Sequence, residues 1–516
     1  MQAGNENAAK AFFQKREEIT AQRRLALAQD YGHQPWELDD NDALLILASA
    51  QWCYNTERWP MVVEFGNCLR SYFDQRGRWQ EGILCLKRSA VASLITNNLD
   101  VLCQLVFDLG LLYDRKGQRT EAEGCYKTSV ELAVQLHQTE VWAEATHRLG
   151  WIAHSQGDFL TAETYYRQAM DMRQPDDTIG RSRSLHQLGM LAHDQGDYAK
   201  AKAMYEESLQ LRRDQGDLYL VAASLHQLGV LAIEQRLWAE AEPYFEETLA
   251  LREQLRDLPG QASVFNQLGI IAQAQGHYQT ARSYYVKSLE IKERLGDGVG
   301  LIHTQMQLGA LALSRNNLDE AQTWLNPSLD ECQRLREGYL EAKTRFQLGI
   351  IYYRQLKYPE ALAQIHQSLA SFSATRGAER DQAGAWYQLG LIAHDQKQFD
   401  EAEQYYDKSL AIQEPANFQP DAAQTHLQLG LVAQARGQFA EARDHYQASY
   451  PVFQQAGPRF AFHLAKLTYR LGIIAEIFGE LEVARDYYQQ ALQLYEELSL
   501  PDSESIKAAL ERVNLS

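Results

Sequence analysis

Apolar residues return along this chain at steps of three and four. Val221, Leu225, Leu228 and Ala232 make one stripe of a 3.6-period helix. After a short polar break, Ala241, Phe245 and Thr248 make a second. The pair then begins again forty residues on, and SLHQLG itself occurs twice, at 184–189 and 224–229. A Leu-Gly pair marks each return, with its glycine at Gly110, Gly150, Gly189, Gly229, Gly269, Gly309, Gly349, Gly390, Gly430 and Gly472. Positions below are counted from that glycine.

Alanine stands at +12 in all ten returns, from Ala122 to Ala484. An aromatic stands at +16 in eight of them, with Leu325 and Ile365 in the other two, and Ser, Thr or Ala always stands at +19. At +7 comes a second glycine in six repeats and Asn316 in a seventh, where a left-handed residue would end the first helix. Asp158, Asp197 and Asn317 follow it and suit the cap of the next helix. Arg236, Leu356 and Lys397 break the glycine rule, so those turns are expected to be strained or differently shaped. Each unit therefore predicts two helices joined by a tight turn. One hairpin cannot bury its own apolar face, and stacking ten makes a continuous core.

Leu-Gly, glycine at +7, alanine at +12, an aromatic at +16 and a small residue at +19 resemble the tetratricopeptide repeat. The usual unit is 34 residues, so a 40-residue unit lengthens each helix by about a turn. The longer form is similar to the repeats of kinesin light chains and of bacterial peptide-sensing and signal-transduction ATPase proteins. The resemblance implies an all-α, right-handed solenoid of ten to eleven hairpins. Ten repeats are expected over residues 99–498, after degenerate helices over 41–98 and a charged helix and loop over 1–40. Residues 499–516 are expected to hold a capping helix, beginning at Asp502. Residues 60–95 read as the degenerate eleventh repeat, with a helix over Ala43–Arg58 capped by Asp40 or Asn41 before it. Pro327 and Pro451 fall inside second helices, where a proline costs about 3 kcal/mol and kinks the helix, so irregular stacking is expected there.

At 516 residues the chain exceeds one globular core, which a repeat array explains. Net charge is −18, which argues against nucleic acid, whose binding needs a basic footprint. No apolar run reaches eighteen residues, and the N-terminus lacks the pattern of a secretory signal, so a cytoplasmic protein is expected. The six cysteines form no CxxC pair and read as reduced thiols. No phosphate-cradling GxxxxGK[ST] loop, HExxH pair or nucleophile elbow occurs, so no enzyme and no cofactor is expected. The glycine-rich stretch at 296–300 has no preceding strand and is weak evidence for a nucleotide site.

What remains is binding. Glutamine recurs at −2 in seven successive repeats: Gln187, Gln227, Gln267, Gln307, Gln347, Gln388 and Gln428. A primary amide offers two donors and an acceptor, so a column of them can hold the main chain of an extended peptide. By the resemblance, this station corresponds to the ligand-contacting asparagine ladder of related 40-residue repeats, on the concave wall. At −3 the residues vary: His147, His186, His226, Asn266 and, further on, Tyr387. His193 and Tyr353 stand at +4. These would choose side chains, while metal binding is disfavoured because equivalent atoms in neighbouring repeats lie near 10 Å apart. Copying during duplication would equally keep the glutamines alike. The expected role is a scaffold for a protein or peptide; the alternative is a sensor or regulatory arm acting on a separately encoded ATPase or effector.

Overall fold

The computed structural model describes residues 2–31, 39–174, 176–501 and 503–515. The described residues form 25 α-helices and a 3-10 turn at Gly457–Phe460, with no strand among them. Ten helix pairs match the predicted repeats, from Leu99–Arg115 with Arg119–Gln135 to Ala461–Ile477 with Leu481–Glu497. The chain divides into two compact units, Met1–Asp257 and Leu258–Ser516.

The repeated residues have a packing reason. The aromatic at +16 packs directly against the glycine of its own repeat. A Cβ on Gly189 would stand 2.7 Å from Tyr205, and one on Gly229 would stand 2.6 Å from Phe245. Only a glycine lets the ring close this gap, and the rings at Tyr126, Tyr166, Tyr205, Phe245 and Tyr285 are wholly buried. Several serines at +19 do more than fill a small space, their hydroxyls donating to the first helix's carbonyl at −7: Ser208 to Ser182 at 2.7 Å, Ser288 to Ala262 at 2.7 Å, Ser409 to Ala383 at 2.9 Å and Ser449 to Ala423 at 2.8 Å, whereas Ser368 donates to Ile365 in its own helix. Each bond between helices ties its hairpin together.

The turn inside the hairpin is left-handed in every repeat. Gly157, Gly196 and Gly276 have φ of 80°, 76° and 81°. Arg236, Leu356 and Lys397 take φ of 60°, 60° and 61°, so those turns keep the common shape and bear the strain of a Cβ in a left-handed position. Asp158, Asp197 and Asn317 cap the following helices as expected. The sequence reading missed that the return turn between repeats is also left-handed, at His137, Gly216, Arg256, Gly296 and Arg336.

The helices Leu318–Leu335 and Phe439–Gln455 run on through Pro327 and Pro451, as Trp238–Gln254 does through Pro243. At the N-terminus, the helix Gln2–Tyr31 buries Ala21 and Ala28, and Arg24 donates to Ser49 at 2.9 Å. The next helix is Asp40–Asn55, capped by Asp39 rather than by Asp40 or Asn41. Most of the expected loop before it, at 32–38, lies outside the described residues, as does Asp502. Trp59–Gln75 and Trp79–Ile95 make the degenerate hairpin, where Ser89 donates to the Val62 carbonyl at 2.8 Å. The helix Ser503–Leu515 lays Ile506, Ala509 and Val513 against Tyr488 and Tyr495. The six cysteines are free thiols.

Candidate binding face of the first helices

Seven successive first helices, those carrying Gly189 to Gly430, divide their surface alike. Residues at −7, −5, −1 and +2 are buried, while those at −6 and +1 remain accessible. The steps −6, −2 and +1 are four and three, so the glutamine at −2 sits in the middle of the open face. Six of the seven amides are half-buried and Gln388 is buried at 7% exposure. Gln187 Oε1, Gln347 Oε1 and Gln388 Nε2 are shielded from solvent with no hydrogen-bond partner. Gln428 differs, because it reaches Tyr387 and His394 of the preceding repeat.

The row at −3 has different surroundings. His147 packs on Tyr166 with ring centroids 5.3 Å apart, His186 on Tyr205 at 5.4 Å, His226 on Phe245 at 5.3 Å and Tyr387 on Tyr406 at 5.8 Å. Each side chain lies on the +16 residue of its own hairpin. Burial therefore holds these imidazoles neutral, pushing His147 and His226 down to about 4. For His186, burial and then the charge of Arg212 push it down to about 3. Asn266 accepts a bond from Thr304 at 3.3 Å.

At +4 the side chains latch one repeat to the next. His154 lies 2.8 Å from Asp194, His193 lies 2.7 Å from Glu234, and Tyr353 donates to Asp395 at 2.6 Å. The acid partners stand at +5, a pairing visible in the sequence only once neighbouring repeats are laid side by side. The structure thus sets the −2 row on the open face, the −3 row against the aromatic layer and these +4 side chains between repeats.

Two clefts open between consecutive first helices. One of about 680 Å³ is lined by Glu144, Arg173, Asp177 and Arg183, among others. The other, of about 190 Å³, is lined by Arg380, Gly384, Tyr387, Gln413, Asp421 and Gln424. Both have station −6 of two successive helices as walls and the +23 residue of the second helix, Arg173 or Gln413, on their lining. Sequence reasoning missed +23, although a cation recurs there at Arg173, Arg212, Arg252 and Lys292.

Helical hairpins stacked within each unit, with part of each first helix left accessible, define an all-α helical-repeat protein. The tetratricopeptide repeat profile matches residues 100–174, 220–294, 300–374 and 381–455, and a second such profile matches 182–215. The chain belongs to the tetratricopeptide repeat family. No curated protein matches it over its sequence. Among solved structures, it resembles a Signal Transduction ATPase with Numerous Domains protein with a tetratricopeptide repeat sensor from Pyrococcus horikoshii. That likeness has a TM-score of 0.50 and 15% identity, covering 69% of this chain and 53% of the other. The apo quorum sensor NprR from B. thuringiensis gives 0.49 and 16%, covering 68% and 98%. BtubC from P. vanneervenii gives 0.39 and 23%, covering 42% and 91%. At 15% identity the likeness to the Pyrococcus horikoshii protein is one of fold alone. No described helix is long and apolar enough to cross a membrane.

Proposed function

We propose that this protein is a non-enzymatic scaffold that holds an extended peptide, or an unstructured segment of a protein, along the open faces of its first helices. The observation that carries this reading is the amide at −2. It recurs in seven repeats, half-buried in six and buried at Gln388, and in three of them a shielded polar atom lacks a partner. A buried polar atom left unpaired is costly in a native protein, so its repetition calls for an explanation. Small rotations of such an amide would let it exchange bonds with a ligand's main chain, which supplies a donor and an acceptor at every residue. Main-chain recognition would give affinity without sequence, and the varied residues at −6 and the clefts beside them would select side chains.

The test is a peptide array followed by titration of the best binder. Replacing Gln267, Gln307 and Gln347 together by Ala should weaken that peptide at least tenfold while leaving helicity unchanged. Unchanged affinity would remove the amides from the binding role.

A further inference from the structure

In four hairpins the side chain at −4 of the first helix meets the one at +15 of the second. Phe265 stacks on Tyr284 with ring centroids 6.1 Å apart and planes at 24°, and Trp386 stacks on Tyr405 at 5.8 Å and 23°. Arg345 donates to Gln364 at 3.1 Å, and the Nδ1 atoms of His426 and His445 stand 3.1 Å apart. The chemistry changes between these repeats, but the contact is kept.

The repeat of Gly150 departs from this. Its +15 residue is Tyr165, while its −4 residue is Thr146, too short to cover a ring. Thr146 is 2% exposed, and its hydroxyl has no hydrogen-bond partner. The last repeat combines the same residue types, with Thr468 at −4 and Tyr487 at +15. There the Thr468 hydroxyl donates to the Leu464 carbonyl of its own helix at 2.6 Å. Tyr450, at +20 of the preceding second helix, brings its ring edge-on to Tyr487 at 6.0 Å. Beside Tyr165 the residue at that preceding +20 station is Val130. Tyr165 therefore lacks both sources of a ring, the one at −4 and the one at +20.

A cleft of about 480 Å³ lies there, with Val130, Trp142, Thr146, Leu149, Tyr165 and Met172 on its lining. Its sides come from the second helices Arg119–Gln135 and Phe159–Met172, and its floor from the first helix Thr139–Ser155. Trp142, Thr146 and Leu149 stand at −8, −4 and −1. At 100° per residue that stripe lies on the side of the helix away from −6, −2 and +1, so the cleft is separate from the open face.

We infer that this cleft binds a small, uncharged, planar aromatic molecule bearing a hydrogen-bonding group, of the naphthol or indole class. Its ring would take against Tyr165 the place that Phe265 and Trp386 fill against their tyrosines. The Thr146 hydroxyl, buried and unpaired, would bond the polar group, which relieves a cost the folded chain otherwise carries. Trp142 and Met172 add aromatic and thioether contacts suited to a flat ring. The volume falls within the range of about 300–1,000 Å³ usual for small-molecule sites. A charged ligand fits less well, because Lys127 and Glu131 both line the cleft and would oppose a cation and an anion respectively. Lys127 is moreover already paired with Glu123 at 2.7 Å. The inference does not depend on the scaffold reading.

The probe is β-naphthol, titrated calorimetrically into the full chain beside its saturated analogue decahydro-β-naphthol, naphthalene sulfonate and N-acetyltryptophanamide. It should bind at least tenfold tighter than each of the other three. Thr146→Phe restores the ring at −4 and Val130→Tyr restores it from +20, and each should abolish β-naphthol binding with helicity unchanged. If Thr146→Phe fails to fold, Val130→Tyr decides alone. Thr146→Val keeps the shape without the hydroxyl and should weaken binding at least fivefold. Absence of β-naphthol binding overturns the site, as does binding that survives the ring-restoring variants. Equal binding of the saturated analogue overturns the planar ligand, and unchanged affinity in Thr146→Val overturns the part given to the hydroxyl. Tighter binding of the sulfonate overturns the uncharged ligand. Tighter binding of N-acetyltryptophanamide assigns the cleft to a side chain of a partner protein and overturns the small molecule.

Discussion

At the scale of single residues, two backbone stations govern stability in opposite directions. The glycine at 0 is required by the ring above it. Gly229→Ala would push a methyl group to 2.6 Å from Phe245 and should cost about 1–3 kcal/mol, read as a lower urea midpoint. The left-handed turn at +7 is the reverse case. Lys397 sits at φ 61°, so Lys397→Gly should stabilise by about 1 kcal/mol, and an unchanged or lower midpoint would contradict the strain argument. The histidines at −3 set a pH dependence. Burial first of all depresses His147, His186 and His226 to about 4, 3 and 4, whereas an unfolded histidine titrates near 6.5. Below about pH 6.5 the unfolded chain takes up protons that the folded chain refuses. Stability is therefore full above that pH and falls as pH drops toward about 4, by up to about 1.4 kcal/mol per pH unit for each histidine. The triple replacement by Asn should flatten the unfolding midpoint across that window. The spacing made these residues visible, but their burial was not readable from it. Histidine suits a solvent face as well as an aromatic layer, and only the ring at +16 of the same hairpin decides between them.

At the scale of the helix, the hairpin is held by more than apolar contact. Ser208 and Ser288 bond the carbonyls of their first helices, whereas Thr248 turns its hydroxyl to Tyr244 in its own helix at 2.7 Å. Ser208→Ala and Ser288→Ala should each cost about 1 kcal/mol in urea unfolding, and Thr248→Ser should cost less because no inter-helix bond is lost. Equal losses at all three sites would show that volume alone matters at +19. Helix type, length and turn positions were legible from the period, the glycines and the caps. The hydroxyl bond was not, since Ser, Thr and Ala at one station read simply as small. The prolines illustrate the same limit: Pro327 and Pro451 predict irregularity, yet the helices around them continue.

At the scale of the whole chain, the ends matter most, because a repeat array exposes an apolar face wherever it stops. The helix Ser503–Leu515 covers Tyr488 and Tyr495, and Arg512 donates to Glu476 at 2.6 Å. Deleting residues 501–516 should uncover those tyrosines and produce aggregation by light scattering at concentrations where the full chain stays dispersed. A truncated chain that remains monomeric with an unchanged midpoint would refute the capping role. The sequence by itself determined the number of hairpins, their forty-residue step and the stations at which a glycine, an alanine or a ring must stand. Those follow from local rules, namely helix period, turn conformation and the size of a side chain at a close approach. Only the tertiary structure decided where adjacent stations look. Residues −3 and −2 are neighbours in the chain, but a 100° turn of the helix sends His186 onto Tyr205 and leaves Gln187 on the open face. Likewise, Arg173 and Arg212 share a station, yet Arg173 hydrogen-bonds two carboxylates while Arg212 hydrogen-bonds a serine hydroxyl and a main-chain carbonyl, a difference set by which side chains the packed helices bring within reach.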